Sequence, residues 1–307
     1  MAHEVESACF TFCEAQLPKK RLNITQNPHK TPRMPELPEI EIIRLFLLPV
    51  LVGKTLVHIS IRQRKLRTIV DEHALARASG HQIQDIQRLA KYLLLDFPAG
   101  HLVFHLGMSG NLYLIDPQKA YERHEHAEFI FDHNLSLRYR DPRRFGRIFW
   151  LSKKQLPQFV LSLGKEPCDT SLTPKTFYQA LQRYDKPIKN VLLAGDVIAG
   201  IGNIYANEAL AYAHIHPKTS ARLLSLTQCS RLLHHIRQVL SDAIAKGGSS
   251  IQDYAHPDGQ KGYFQNYYIA YRRQGLPCVF CSTPIEKVVL AGRSSFFCPK
   301  CQPEIFF

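Results

Sequence analysis

Tyr92-Leu93-Leu94-Leu95-Asp96-Phe97 and His101-Leu102-Val103-Phe104-His105-Leu106 are two apolar runs separated only by Pro98-Ala99-Gly100. Each has the length and apolar content of a buried strand, and the turn residues between them leave no room for a helix. Working outward, strand-like segments recur at residues 56–61, 128–131, 136–139 and 148–151, again separated by Gly, Pro, Asn and Asp. Short strands that follow one another without intervening helices predict a two-layer antiparallel β-sandwich rather than βαβ units.

Helical patterns flank this block. Glu39-Ile40-Glu41-Ile42-Ile43-Arg44-Leu45-Phe46-Leu47-Leu48 follows Pro38 and carries acids at its positive end, which predicts a short helix that Pro49 and Gly53 help to end. Beyond residue 152 the chain turns polar and then helical. Thr173-Pro174 reads as an N-cap followed by proline at the first helical position, and a second helix is expected over 187–193. The clearest helix spans 227–246, where Leu232, Leu233, Ile236, Val239, Leu240, Ala243 and Ile244 fall on one face and Gly247-Gly248 stops it. The fold class is therefore α+β. The expected domains are 34–160 (sandwich), 161–260 (helical) and 261–307 (cysteine-rich), with 1–33 a polar, proline-containing segment without periodicity, expected to be disordered.

The 307 residues carry a net charge of +13, with a pI near 9.4. Residues 1–33 hold five Lys/Arg and three Glu, so +11 of that charge belongs to residues 34–307. A strongly basic globular body predicts a polyanionic partner. No apolar run of membrane-spanning length is present, and the first 33 residues lack the apolar core of a secretory signal, so a cytoplasmic protein is expected.

Four of the eight cysteines form Cys278-x2-Cys281-x16-Cys298-x2-Cys301, the spacing of a zinc ribbon in which two knuckles each supply two thiolates. An ion with four protein ligands has no open position for water, so it is structural. The insert between the knuckles carries Arg293, suited to a phosphate. Gly200-Ile201-Gly202-Asn203 opens a helical segment, where backbone N–H groups and the Asn203 side chain can meet a phosphate.

Met34-Pro35-Glu36-Leu37-Pro38-Glu39 reads as a protein start inside the chain. Within a chain the Pro35 nitrogen is an amide whose lone pair is delocalised. At a terminus it would be a secondary amine titrating near ~7.7–8.0, partly neutral at cellular pH and able to attack a sugar carbon. The active form is expected to begin at Pro35, with residues 1–33 a misassigned start or a removed leader.

Together with this opening, Gln87-Arg88-Leu89-Ala90-Lys91, His105-Leu106-Gly107-Met108-Ser109-Gly110, Asp141-Pro142-Arg143-Arg144-Phe145-Gly146, the Gly200–Asn203 turn and the zinc ribbon resemble the formamidopyrimidine-DNA glycosylase family over essentially all of residues 34–307. The resemblance implies a catalytic sandwich domain with an N-terminal helix, a helix-two-turns-helix domain and a zinc-ribbon hairpin, acting as a monomer on damaged double-stranded DNA. It implies Pro35 as nucleophile, Glu36 as general acid, Lys91 as proton donor in β-elimination and Arg293 in δ-elimination, where an arginine acts as much as a phosphate clamp. Glu39 would combine dipole stabilisation with a secondary contact. Met108, Arg143 and Phe145 would fill the gap left by an extruded base, and His124, Lys189 and Asn203 would contact DNA. At Asp185 the chain departs from relatives that carry a basic phosphate contact there, and Lys186 or Lys189 would take its place. Residues 246–254 would supply a lid.

The expected activity is a bifunctional glycosylase and abasic-site lyase of base excision repair that removes oxidised purines, 8-oxoguanine and formamidopyrimidines, with one structural zinc and no catalytic metal. Leu37 and the Gly-Met-Ser-Gly and Arg-Arg-Phe-Gly turns favour this over the related endonuclease VIII type, which prefers oxidised pyrimidines. A catalytically inert DNA-binding protein is the alternative if the extension blocks Pro35.

Overall fold

A computed structural model describes residues 35–249 and 262–304. The expectations for residues 1–33, for Met34 and for 250–254 of the lid lie outside the described residues. The chain divides into two compact units, one containing the strands up to Leu161 together with residues 247–249, the other Ser162–Lys246 and the chain from Phe264 onward.

In the first unit, helix α1 (Leu37–Leu51) leads into strand β1 (Leu56–Ile61), a single helical turn α2 (Glu72–Leu75), and strands β2 (Asp85–Leu89), β3 (Tyr92–Phe97), β4 (Gly100–His105), β5 (Asn111–Ile115), β6 (Glu125–Phe131), β7 (Leu135–Arg140) and β8 (Arg147–Ser152). They form two four-stranded antiparallel sheets, ordered β1-β6-β7-β5 and β2-β3-β4-β8. The opening pair lies in register, with Leu93 opposite Phe104 and Leu95 opposite Leu102. These four side chains face the core, where Phe104 meets Phe129 of the other sheet edge-on at 5.2 Å. The alternate residues Leu94 and Val103 point the other way and would be wetted on an uncovered sheet. They pack instead with Leu151 against Leu156 and Phe159 on helix α3 (Leu156–Leu161), which explains why β3 is apolar on both faces.

α1 continues through Pro49 to Leu51, past the end expected from sequence. A proline in the last turn removes one hydrogen bond, whereas Leu47 and Leu51 are both fully buried in the core. Burial of two leucines outweighs one lost bond. β2 and β5 were not among the strands expected from pattern alone: each places only one residue, Ile86 or Leu112, in the core.

The second unit comprises α4 (Pro174–Leu181), α5 (Ile188–Ala194), α6 (Asn203–Tyr212), α7 (Leu226–Ala245) and the hairpin β9 (Glu286–Leu290) and β10 (Arg293–Phe297). Thr173 caps α4, accepting from Thr176 N–H at 3.2 Å, and Ser225 caps α7, accepting from Gln228 N–H at 3.2 Å. The expected apolar face of α7 is buried from Leu232 through Ala243 and packs on α4 and α6. Ala291 and Gly292 both have positive φ, giving the two-residue turn whose twist suits a hairpin. Arg293 follows at once and is exposed. Among the described residues no helix is long and apolar enough to cross a membrane.

Phe104→Ala is expected to destabilise the sandwich by about 3–5 kcal/mol. Chemical unfolding followed by the fluorescence of Trp150, the single tryptophan and itself on β8, measures this directly. A loss below about 1 kcal/mol would contradict the core described here.

Candidate functional site

Pro35 and Glu36 immediately precede α1, and both are buried. Glu39, fully buried one turn in, accepts from Glu36 N–H at 3.0 Å and from Ser249 N–H at 2.9 Å. One carboxylate thus fixes the residue next to Pro35 and, through its other oxygen, the chain just after Gly247-Gly248. Gly248 has φ +72°, and a Cβ there would press on Ile42 and Glu39, so the glycine permits the approach.

Lys91 is partly buried in the tight turn between β2 and β3, beside Ala90 with φ +54°. That turn is tied back to α1. Arg88 donates to Glu41 at 2.8 Å and to the Ala90 carbonyl at 3.2 Å. Burial would raise the Glu41 pKa, but hydrogen bonding from Arg44 and the charges of Arg88 and Arg44 prevail and hold it below the usual range. Lys91, Arg147 and Arg67 also act on His105, whose pKa is pushed down to about 4 by burial first and then by these three cations. His105 Nδ1 accepts from Gly107 N–H at 3.2 Å, which leaves the imidazole proton on Nε2.

The two Gly-bounded turns meet. Met108 is partly exposed on the turn between β4 and β5, and Arg143 and Phe145 lie on the loop between β7 and β8, with the Arg143 guanidinium 4.7 Å from the Phe145 ring centre. Phe145 is 41% exposed. A Cβ on Gly107 would collide with the Phe145 backbone, so this glycine sets the distance between the turns. His124 is partly buried with φ +72°, its pKa lowered by burial and then by Arg123, His126, Arg140 and Arg144. A phosphate placed in that field would be attracted to it.

In the second unit, Asn203 is the first residue of α6, with Gly202 as N-cap, and its Oδ1 has no hydrogen-bond partner among the described residues. Lys189 is not displayed as sequence suggested. It is fully buried, and its ammonium donates to the Ser294 carbonyl and the Ser295 hydroxyl, each at 2.7 Å. A buried ammonium needs such acceptors, and here it ties α5 to the strand that begins with Arg293. This corrects the expectation of a phosphate contact at Lys189. Lys186 is exposed, while Asp185 pairs with Arg222 at 3.1 Å and accepts from Ser220 at 2.9 Å.

Cys278, Cys281, Cys298 and Cys301 place their sulfurs within 4.8 Å of one another. The Cys278–Cys301 and Cys281–Cys298 separations are 3.9 and 3.4 Å. Tetrahedral thiolates about 2.3 Å from zinc lie ~3.8 Å apart, so the donor set fits that ion.

The model of the formamidopyrimidine-DNA glycosylase N-terminal domain matches residues 34–148, that of the same enzymes' H2TH domain 163–255, and that of a zinc finger found in FPG and IleRS 275–303. The formamidopyrimidine-DNA glycosylase of Methylobacillus flagellatus is 41% identical over 270 residues, 88% of this chain and 96% of that protein. The chain belongs to the formamidopyrimidine-DNA glycosylase family. The crystal structure of the MutM (Fpg) protein of Thermus thermophilus superposes with a TM-score of 0.79 at 38% identity, covering 89% of this chain and all of the other. A complex of Lactococcus lactis Fpg with DNA containing an abasic site gives 0.81 at 33% identity, covering 88% and 100%. The protein is thus a DNA glycosylase with a four-cysteine structural zinc site.

Pro35, Glu36, Lys91, Met108, His124, Arg143 and Phe145 belong to the first unit, whereas Arg293, Lys189, Asn203 and the cysteines belong to the second. Sequence patterns had assigned no role to Asp141, Ser109 or His105 or to the Arg88–Glu41 pair. Ser109 and Asp141 pair across 32 residues and Arg88 and Glu41 across 47, separations that no local pattern spans, and only the Asp-Pro at 141–142 signals a turn.

Because the folded pKa of His105 lies below its unfolded value near ~6.5, the native state binds fewer protons than the unfolded one in between. The stability that this buried, neutral ring contributes is whole above pH ~6.5, declines as pH falls and is gone below about 4. Denaturant unfolding between pH 7 and 4 should show this decline, and His105→Gln should flatten it. An unchanged pH slope in the variant would contradict the assignment.

Proposed function

We propose that this DNA glycosylase is bifunctional, removing oxidised purines and then cleaving the strand through an amine at Pro35. The Pro35 lone pair forms a bond to C1′ of the damaged nucleotide, the base leaves with the electrons of the glycosidic bond, and the proton that the Pro35 nitrogen gives up passes to the departing base, which restores the nitrogen lone pair. Glu36 delivers a proton to the ring oxygen O4′ as the C1′–O4′ bond breaks, and nitrogen lone-pair donation gives an iminium. A secondary amine can give only the cationic form, so the adduct withdraws electrons from C2′. Loss of the C2′ proton expels the 3′ phosphate with Lys91 moving the proton, and a second elimination expels the 5′ phosphate with Arg293 binding it. No metal or water nucleophile is needed for strand cleavage.

The observation that carries this reading is the anchoring of Glu36 next to Pro35 by the buried Glu39. The family match begins at residue 34, and 88% of this chain covers 96% of the Methylobacillus flagellatus enzyme. The residues before 34 therefore stand outside the shared region, and catalysis requires a chain that starts at Pro35. The likeness to an Fpg bound to abasic-site DNA supports a damaged-duplex substrate, with Met108, Arg143 and Phe145 filling the opened stack and His124, Asn203 and Lys186 near phosphates. The charge of +11 on residues 34–307 gives an affinity that falls steeply with salt.

Excision measured side by side on 8-oxoguanine:C and thymine glycol duplexes tests the specificity. The purine lesion should react at least tenfold faster and leave phosphates on both sides of the gap. Dominant thymine glycol excision would instead establish the endonuclease VIII type of activity.

A further inference from the structure

Asp141 is fully buried, yet it lies at the start of the loop that carries Arg143 and Phe145. Its Oδ1 accepts from the Ser109 hydroxyl at 2.5 Å and from Arg143 N–H at 3.2 Å. Its Oδ2 accepts from Gly146 N–H at 2.8 Å and from the Tyr139 hydroxyl at 3.0 Å. Ser109 itself accepts from Arg143 N–H at 3.1 Å, which closes a triangle between the two turns. The Asp141 backbone extends the network further: its N–H donates to the His124 carbonyl at 3.0 Å, and its carbonyl accepts from His126 Nε2 at 2.8 Å and Arg144 N–H at 3.1 Å.

Four elements therefore converge on one residue. They are the Met108 turn through Ser109, the Arg143–Phe145 loop at both ends, the His124 segment, and the core through Tyr139. Burial and the Asp141 charge keep the Tyr139 phenol protonated and thus a donor. The geometry admits little slack, since a Cβ on Gly146 would overlap the Tyr139 hydroxyl and one on Gly107 would strike the Phe145 backbone. The basic loop after β1 joins the same assembly, with Arg67 N–H donating to the Gly146 carbonyl at 3.1 Å.

We infer that Asp141 is a positioning residue for stack opening: it holds Met108, Arg143 and Phe145 in one rigid group, so that they enter the duplex together. Side chains that replace an extruded base must meet the gap in a fixed arrangement, because a loose wedge spends its binding free energy on its own ordering. Asp141 touches no reacting atom, and it acts through the turns it joins. The inference rests on the proposed wedge role of those three residues but not on the chemistry at Pro35.

The test uses duplexes with 2-aminopurine beside a reduced abasic site, where fluorescence reports unstacking without any reaction. Asp141→Ala should lower the unstacking signal at saturating protein at least fivefold and duplex excision at least tenfold, while borohydride trapping on a single-stranded abasic oligonucleotide, which has no stack to open, changes less than twofold. Ser109→Ala, which deletes only the bridge between the turns, should lower the unstacking signal at least twofold and serves if Asp141→Ala does not fold. An unstacking signal within twofold of the parent in Asp141→Ala, or unchanged in Ser109→Ala, would overturn the inference. So would equal losses on duplex and single strand, which mark a merely structural residue. Absence of trapping by the parent protein would instead refute the Pro35 chemistry and leave the unstacking comparison valid.

Discussion

A carboxylate removed from water destabilises a fold unless hydrogen-bond donors replace the solvent it lost, and this protein turns that demand into a way of fixing loops. Three fully buried acids do so. Glu39 collects Glu36 N–H and Ser249 N–H. Asp141 collects Ser109, Tyr139, Arg143 and Gly146. Glu208 on α6 collects the backbone N–H groups of Ile269, Ala270 and Tyr271. Burial nonetheless pushes Glu208 up to about 6 against those donors and the charge of Arg273. In each case backbone N–H groups of another segment or of the adjoining loop are among the donors.

The same logic with the sign reversed explains Lys189. Its buried ammonium needs acceptors and takes them from Ser294 and Ser295, directly after Arg293. The hairpin gains a second brace from Asn207, whose Oδ1 accepts from Phe296 N–H at 2.7 Å. Together with the four-cysteine zinc site, these contacts fix a hairpin that would otherwise be marginal as an isolated two-stranded ribbon. Arg293 thus stands on a stiff support although its own side chain is exposed.

Much of this was legible in the sequence where the signal is local. The apolar runs at 92–97 and 101–106, the stripe on α7, the Thr173 cap and the cysteine spacing all act within a few residues of their cause. What could not be read is pairing at a distance. Ser109 and Asp141 are 32 residues apart, and Lys189 and Ser295 are 106 apart. The motifs around Ser109 and Asp141 do not reveal that the two side chains meet, and a lysine between Ile188 and Asn190 looks like a solvated one. β2 and β5 escaped because a strand that contributes one core residue has no apolar pattern, and α1 outran Pro49 because tertiary burial outweighed a local breaker.

The proposed chemistry turns on a single bond. With a residue joined to it, the Pro35 nitrogen is an amide; with none, it is the amine that every other proposed group serves. Borohydride reduction of the protein with abasic-site DNA, followed by peptide mapping of the cross-link by mass spectrometry, examines that bond directly. The predicted result is an adduct on the α-nitrogen of Pro35 in a chain that begins there. A cross-link on the Lys91 side chain, or full trapping by a chain that retains Met1, would contradict the account.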